Sequence, residues 1–427
     1  MPLSSREREA LHAVLESEAT ENQPACGARW PGPIAEAAFI GPAGDLVRIV
    51  EPHTEADPAA LLIQFLAAVG CMMGRNVYFR AEADRHYPNL FISLVGVSSH
   101  GRKGTSWGHV RAVMEAADEA FTLNHIKGGL SSGEGLVWHL RDATEDNPGV
   151  YDKRLLVYEP EFSSALRVMG RDGNTLSAQL RQAWDSGALR ILTKNTPVQA
   201  TNSHLSLISH ITKPELLRHL NTTECANGFG NRMLWACVER SKQLPEGGNL
   251  QPEDLRGVVE QLRATLSFAG SAKEITRDSE ARIMWAGAYA ALTADRPGLL
   301  GSILARAEAQ TMRVALIYAL LDCSPVIQRQ HLEAALAVMD FVTASAEWIF
   351  GELYGEADAD KILDALRQRP DGLTRTEVNA LFNRHKSHAE IEAALRTLQG
   401  GQLADMQTET TDGRPVERWF AKAKKAN

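Results

Sequence analysis

A single stretch, Leu90 to Trp107, constrains this chain most, and it reads LFISLVGVSSHGRKGTSW. Leu90 to Val95 is a short apolar run of the kind a fully buried parallel strand shows. After Gly96 it gives way to a glycine, serine and basic turn, with helix-forming residues from Trp107 onward. Strand, glycine turn and helix is the arrangement that cradles phosphate. Small residues let backbone N–H groups close around the oxygens, a lysine reaches the terminal phosphates, and a hydroxyl stands ready for a divalent cation where the helix dipole favours negative charge. Gly96, Gly101, Lys103, Gly104, Thr105 and Ser106 supply those residue types. The run departs from G-x-x-x-x-G-K-[ST], because Arg102 stands between Gly101 and Lys103 and Gly104 shifts the hydroxyl by one place. A basic, glycine-containing turn with no ligand is the competing reading.

The 427 residues allow more than one domain and at least one sizeable core. A net charge of -8 and a pI near 5.9 argue against a protein that coats nucleic acid non-specifically, while leaving room for a localised basic channel. The five cysteines (Cys26, Cys71, Cys225, Cys237 and Cys323) are scattered without C-x-x-C spacing, as expected of reduced thiols without structural zinc. The N-terminus, MPLSSREREALHAVLESE, is charged and amphipathic, with no apolar leader region. Ala59 to Gly74 is the longest apolar stretch, carries Gln64, and is too short to cross a bilayer. A cytoplasmic location and no membrane partner are therefore expected.

Residues 1–57 read as an N-terminal extension that begins with an amphipathic helix. Asp57 can cap, and Pro58 can open, an apolar helix that Gly74 ends. Val77 to Arg80 reads as a short strand, and His86 and Asn89 stand where a polar side chain approaches a base, or are satisfied loop residues. A second glycine and serine turn, Ile126 to Leu136, precedes another helix, and Glu134 in its first turn either caps the helix or polarises a water. Arg154 to Phe162 is a buried-strand run ending in Glu159 and Glu161. Phosphoryl transfer needs a carboxylate for Mg²⁺ and often another to orient water on a second core strand, and which of the two does which job stays open. Leu189 to Thr193 and Val198 to Thr201 read as a hairpin whose tip carries Lys194, with Arg171 and Arg190 nearby. Such cations grip phosphates in the pore of a ring-shaped motor, or form an ordinary solvated hairpin.

His204 to Ile211 is a third strand, and His210 or Thr212 at its end is a candidate sensor of the terminal phosphate. Arg232, between the glycine-rich turn Asn227 to Gly230 and the strand Met233 to Val238, suits a neighbouring subunit's nucleotide or a structural salt bridge. These elements make residues 58–248 an α/β nucleotide-binding core. Residues 249–355 are helical throughout, with Arg306 and Arg313 on one helical face as candidates to touch phosphate from a lid. Residues 356–427 combine three helices with a hairpin turning at Asp412-Gly413, a winged helix-turn-helix pattern with nearly balanced charge.

The tract EPHTEADPAALLIQFLAAVG, the loop GVSSHGRKGTSW, the turn GGLSSGEGL, the strand LLVYEPEF, the segment GNTLSAQLRQAWDSG, the strand end SHIT, and NGFGNRMLW followed by ERSKQLP together resemble helicase-like P-loop NTPases of phages, plasmids and integrated elements. The resemblance spans roughly residues 40 to 350. It implies a three-layer core and a Mg²⁺-dependent ATPase that forms a ring, expected to be a hexamer, and unwinds DNA by moving on a single strand. It also implies that Lys103 and Thr105 hold phosphates and Mg²⁺, that Glu159 and Glu161 are the second-strand acids, with Glu159 on the metal, and that Arg232 is a finger acting between subunits. Members often accompany a primase-polymerase module, and none is recognised here, so a separate primase or replication initiator is the expected partner. The alternative is an ATP-gated DNA-binding regulator or defence-type switch that does not unwind DNA.

Overall fold

The computed structural model describes residues 29–97, 101–193, 197–220, 224–225, 227–296, 298–351, 357–400, 403–409 and 416–422. The expected N-terminal helix, Cys26, Lys194 at the hairpin tip, the boundary at 355/356 and the turn at Asp412-Gly413 lie outside the described residues.

Five parallel strands carry the fold: β1 (Phe91–Gly96), β2 (Ile126–Lys127), β3 (Arg154–Glu159), β4 (His204–Thr212) and β5 (Met233–Cys237), in the order β2-β3-β4-β1-β5. The apolar runs made four of these strands legible in advance. The two-residue β2 had been read as part of a turn, and it joins the sheet as an edge strand beside Leu156 and Val157.

Parallel strands are covered on both faces, and the pleat sorts each strand's residues between two cores. Ile92, Leu94, Leu156, Ile208, Leu234 and Ala236 enter one core, whereas Phe91, Val95, Leu155, Val157, Leu207 and Trp235 enter the other. The first core holds α1 (Pro58–Met73) and α2 (Lys103–Ala117), and the second holds α3 (Gly133–His139), α4 (Phe162–Met169) and α5 (Leu176–Asp185). The result is a three-layer α/β arrangement.

Helix α1 is buried on all sides from Ala59 to Met73, so its apolar composition reflects a core position. Asp57 caps it at 2.9 Å from the Ala59 N–H and also accepts the Glu239 N–H at 3.1 Å, tying the helix to the end of β5. Burial holds the Asp57 carboxyl above its ordinary range.

Helices after the expected boundary at 248/249 join the same layers: Leu262, Leu316 and Val338 lie in the first core, and Ile349 and Phe350 in the second. Residues 359–419 have a separate core built from Ile362, Leu395 and Trp419 among others. Helices Ala357–Gln368, Arg375–Ala380 and His388–Gly400 accompany a three-stranded sheet in which Leu373–Thr374 and Ala404–Glu409 both pair with Val416–Ala421. Thr374 and Glu377 form a capping box at the second of these helices. No helix among the described residues is long and apolar enough to cross a membrane.

Candidate functional site

All five strands point the same way, so one edge of the sheet gathers every strand's C-terminal end. Ligands in open α/β sheets bind outside that edge, where the connections from neighbouring strands run in opposite directions. Here the neighbours are β1 and β4: the connection from β1 crosses to β2 at one margin of the sheet, and the connection from β4 crosses to β5 at the other.

The turn after β1 leads into α2, which begins at Lys103, four residues before the expected start at Trp107. A helix's first turn needs no intrahelical N–H bonds, so Gly104, Thr105 and Ser106 sit there despite weak helix propensity. Arg102 takes a left-handed conformation (φ 48°, ψ 25°) at the cap, and its Nε lies 2.6 Å from Glu55 Oε2. Glu55 also pairs with Arg240 and accepts the Leu244 N–H at 2.8 Å; that amide, followed by Arg240, holds its carboxyl below the ordinary range. The Arg102 guanidinium is thereby held at Glu55, and Lys103 is the first residue of the helix.

Lys103 is buried, and desolvation lowers its pKa while Glu215 opposes the shift. A Cβ at Gly101 would lie 3.4 Å from the Val238 carbonyl oxygen and 3.9 Å from Lys103 Nζ, whereas one at Gly104 would meet nothing within 4 Å. Gly101 thus lies against β5 and the lysine, and Gly104 faces open space. Thr105 is exposed. It borders a hollow of about 460 Å³, together with His53, Glu55, Arg102, His109 and the Leu244 to Leu250 loop.

Ser106 takes a different role from the one its position implied. Fully buried, it donates to the Lys103 carbonyl at 2.8 Å and accepts from Gln64 Nε2 at 2.7 Å. Gln64 Oε1 in turn meets His210 Nε2 at 2.9 Å. Burial, then the nearby Lys103 charge, pushes His210 down to about 3, so the imidazole is neutral and its Nε2–H donates to an oxygen that can only accept. A buried polar chain therefore runs from the end of β4 through α1 to the first turn of α2. His210 packs edge-on against Tyr158 at 5.4 Å, and Tyr158 stacks on Trp107 at 4.7 Å.

The other residues of this edge divide by partner. Glu159, buried at the end of β3, accepts the Leu130 N–H at 2.7 Å from the glycine turn after β2. Glu161 is exposed and makes no side-chain cap for α4. Glu134 accepts from Thr175 Oγ1 at 2.9 Å, and its own backbone N–H and that hydroxyl lower its pKa. Thr212 and Glu215 form a capping box for the helix Lys213–His219, so the Thr212 hydroxyl serves helix capping. Gly96 closes β1 opposite Thr212. Thr105 and Glu159 offer a hydroxyl and a carboxylate, hard oxygen donors that fit a Mg²⁺ carrying waters and phosphate oxygens as its remaining ligands. Among the described residues no group of three or more His, Cys, Asp or Glu side chains forms a metal cage.

Arg232, Arg306 and Arg313 gather at the opposite edge, about 20 Å away by the length of β1. Arg232 directly precedes β5 and forms a two-pronged pair with Asp185, Nε–Oδ1 3.1 Å and Nη2–Oδ2 2.6 Å. Arg306 Nη1 lies 3.7 Å from the same carboxylate. Arg313 donates to Asn89, just before β1, and to the Trp184 carbonyl at 2.9 Å. The structure therefore brings none of the three to the sheet edge that holds Lys103.

Arg171 and Arg190 are exposed. Arg190 lines a groove of about 480 Å³ with Trp138, Arg141, Leu192 and Pro197. Trp138 is 49% exposed, and the Arg141 guanidinium stands 4.1 Å from its ring. Sequence reasoning passed over Trp138 and Arg141. It also gave Gln64 no role, although a lone amide in an otherwise apolar helix was the available signal. No protein-family model matches the chain, and no curated protein matches it either.

Proposed function

We propose that this chain is a P-loop NTPase: a Mg²⁺-dependent ATPase that moves on single-stranded DNA as a ring of copies, a hexamer, in replicating a mobile genetic element. The observation that carries the reading is the convergence at one sheet edge of Lys103 on a helix N-terminus, Glu159 on β3 and the His210 chain on β4. Lysine and the first-turn amides would neutralise phosphate charge, the hollow beside Thr105 has room for a base and ribose, and Thr105 with Glu159 would hold Mg²⁺, which screens the charge that builds on the phosphates. Glu161 and Glu134, both at this edge, are the groups available to orient the attacking water.

The groove at Trp138 supports the DNA part, because an exposed ring flanked by Arg141 and Arg190 suits an unpaired base and its phosphate. Arg171, also exposed, is a further cation that this reading assigns to DNA. The C-terminal three-helix unit is read as a winged helix. Arg375 there is paired with Glu392 and Glu417, which favours a contact with protein, such as another subunit, a primase or an initiator, over phosphate. Arg232 acts as an intersubunit finger in this reading, and to do so it must exchange Asp185 for a neighbour's phosphate.

The test is ATP hydrolysis by the full chain with Mg²⁺, with and without single-stranded DNA. Stimulation by the single strand and loss of turnover in Lys103→Ala are expected. Wild-type turnover in Lys103→Ala overturns the ATPase assignment. Turnover indifferent to DNA, together with tight duplex binding, moves the reading to an ATP-gated DNA-binding switch.

A further inference from the structure

The edge of the sheet away from the phosphate loop holds a second cavity, of about 640 Å³, between the Phe79–Ala81 and Asp84–His86 hairpin and the end of α5. Four arginines, Arg75, Arg85, Arg306 and Arg313, line it against two carboxylates, Asp84 and Asp185. Asp185 is already spent on Arg232. The cavity is thus electropositive; Arg75 and Arg313 are fixed in its wall by bonds to the Ser186, Ser203, Asn89 and Trp184 carbonyls, which leaves Arg85 and Arg306 as its more accessible guanidiniums. Arg313 is 1% exposed and lies 3.5 Å over the Trp184 ring, while Arg75 lies 3.7 Å over Tyr87.

Three nitrogens of its lining residues, His86 Nδ1, Trp184 Nε1 and Arg313 Nε, are buried without a hydrogen-bond partner among the described residues. Two of them are obligate donors. Leaving several such groups unsatisfied around one positive cavity is costly unless an acceptor arrives. Burial, followed by the nearby Arg313 charge, pushes His86 down to about 4, so its imidazole adds no positive charge near pH 7.

We propose that this arginine cavity is a second anion site that takes a phosphoryl group, separate from the phosphate loop on the same chain. Phosphoryl oxygens match the guanidiniums of Arg85 and Arg306 that the cavity presents, with Arg75 and Arg313 adding charge from its wall. The group reaches the cavity from one of two sources, a free polyphosphate or nucleotide in solution, or the nucleotide held by a second copy's phosphate loop. Only the second source rests on the function proposed above.

The experiment titrates pyrophosphate calorimetrically into the full chain carrying Lys103→Ala, which disables the phosphate loop. Saturable binding is expected, weakened roughly ten- to hundredfold by adding Arg306→Ala and severalfold by adding the surface change Arg85→Ala. That result identifies a free ligand and needs no hydrolysis. A second arm mixes chains carrying Lys103→Ala with chains carrying Arg306→Ala. Turnover regained on mixing, above the sum of the two alone, identifies the neighbour's nucleotide as the ligand. Pyrophosphate binding unmoved by both arginine changes, or neither binding nor regained turnover, overturns the proposal.

Discussion

Replacing Gln64 by methionine tests whether the buried polar chain beneath the first turn of α2 is a cooperative unit. The side chains are close in volume, so packing is nearly preserved and the change is one of polarity. Gln64 donates to the Ala60 carbonyl and to Ser106 Oγ and accepts from His210 Nε2. Ala60 lies within a helix and keeps its backbone partner, so the costs fall on the other two. His210, 3% exposed and neutral, is left with an unpaired N–H, at about 1–3 kcal/mol. Ser106 keeps its bond to the Lys103 carbonyl and loses one donor, at about 0.5–1.5 kcal/mol. The expected loss is therefore about 2–4 kcal/mol, read from the urea midpoint of the full chain. Gln64→Met combined with His210→Phe removes both ends of the bond and is less destabilising than the two single changes summed, by about 1 kcal/mol or more. A Gln64→Met protein within about 0.5 kcal/mol of wild type, or strict additivity in the cycle, refutes the reasoning.

Three further outcomes follow from the same geometry. Burial pushes His204 and His210 down to about 3 and His86 to about 4, whereas the unfolded chain binds these protons near pH 6.5. Stability therefore falls as pH drops from about 6.5 toward 4, by about 1.4 kcal/mol per pH unit for each histidine, and His210→Phe makes the slope of the urea midpoint shallower; an unchanged slope contradicts it. Glu159→Gln keeps an oxygen for the Leu130 N–H, so the thermal midpoint should hold while ATP turnover falls about a hundredfold or more; full turnover transfers the acid role to Glu161. Trp138→Ala should weaken single-strand affinity about fivefold or more, by anisotropy of a labelled oligonucleotide, with ATP turnover in the absence of DNA unchanged. Equal affinity removes the groove from the DNA path.

The strands were legible because a parallel strand buried on both faces is apolar along most of its length, as Leu90 to Val95, interrupted by Ser93, and Leu155 to Val157 are. Their order was not legible, since nothing local records that β1 lies between β4 and β5. Two-residue β2 is too short to carry any pattern. The start of helix α2 lies earlier than expected because propensity describes helix interiors, whereas Lys103 to Ser106 occupy a first turn whose N–H groups need no intrahelical partner. The arginines show the limit most clearly. Seven residues apart, Arg306 and Arg313 were expected near a phosphate, but their destination depends on a long-range bond from Arg313 to Asn89 at the start of β1. That bond sends them to the edge opposite Lys103. A chain with a lysine-bearing helix N-terminus on one edge of its sheet and an arginine-lined cavity on the other has two unlike surfaces facing opposite ways. Unlike surfaces meet in head-to-tail association, which closes into a ring when the rotation permits. Site and assembly are then one problem, and Arg306→Ala mixed with Lys103→Ala addresses both.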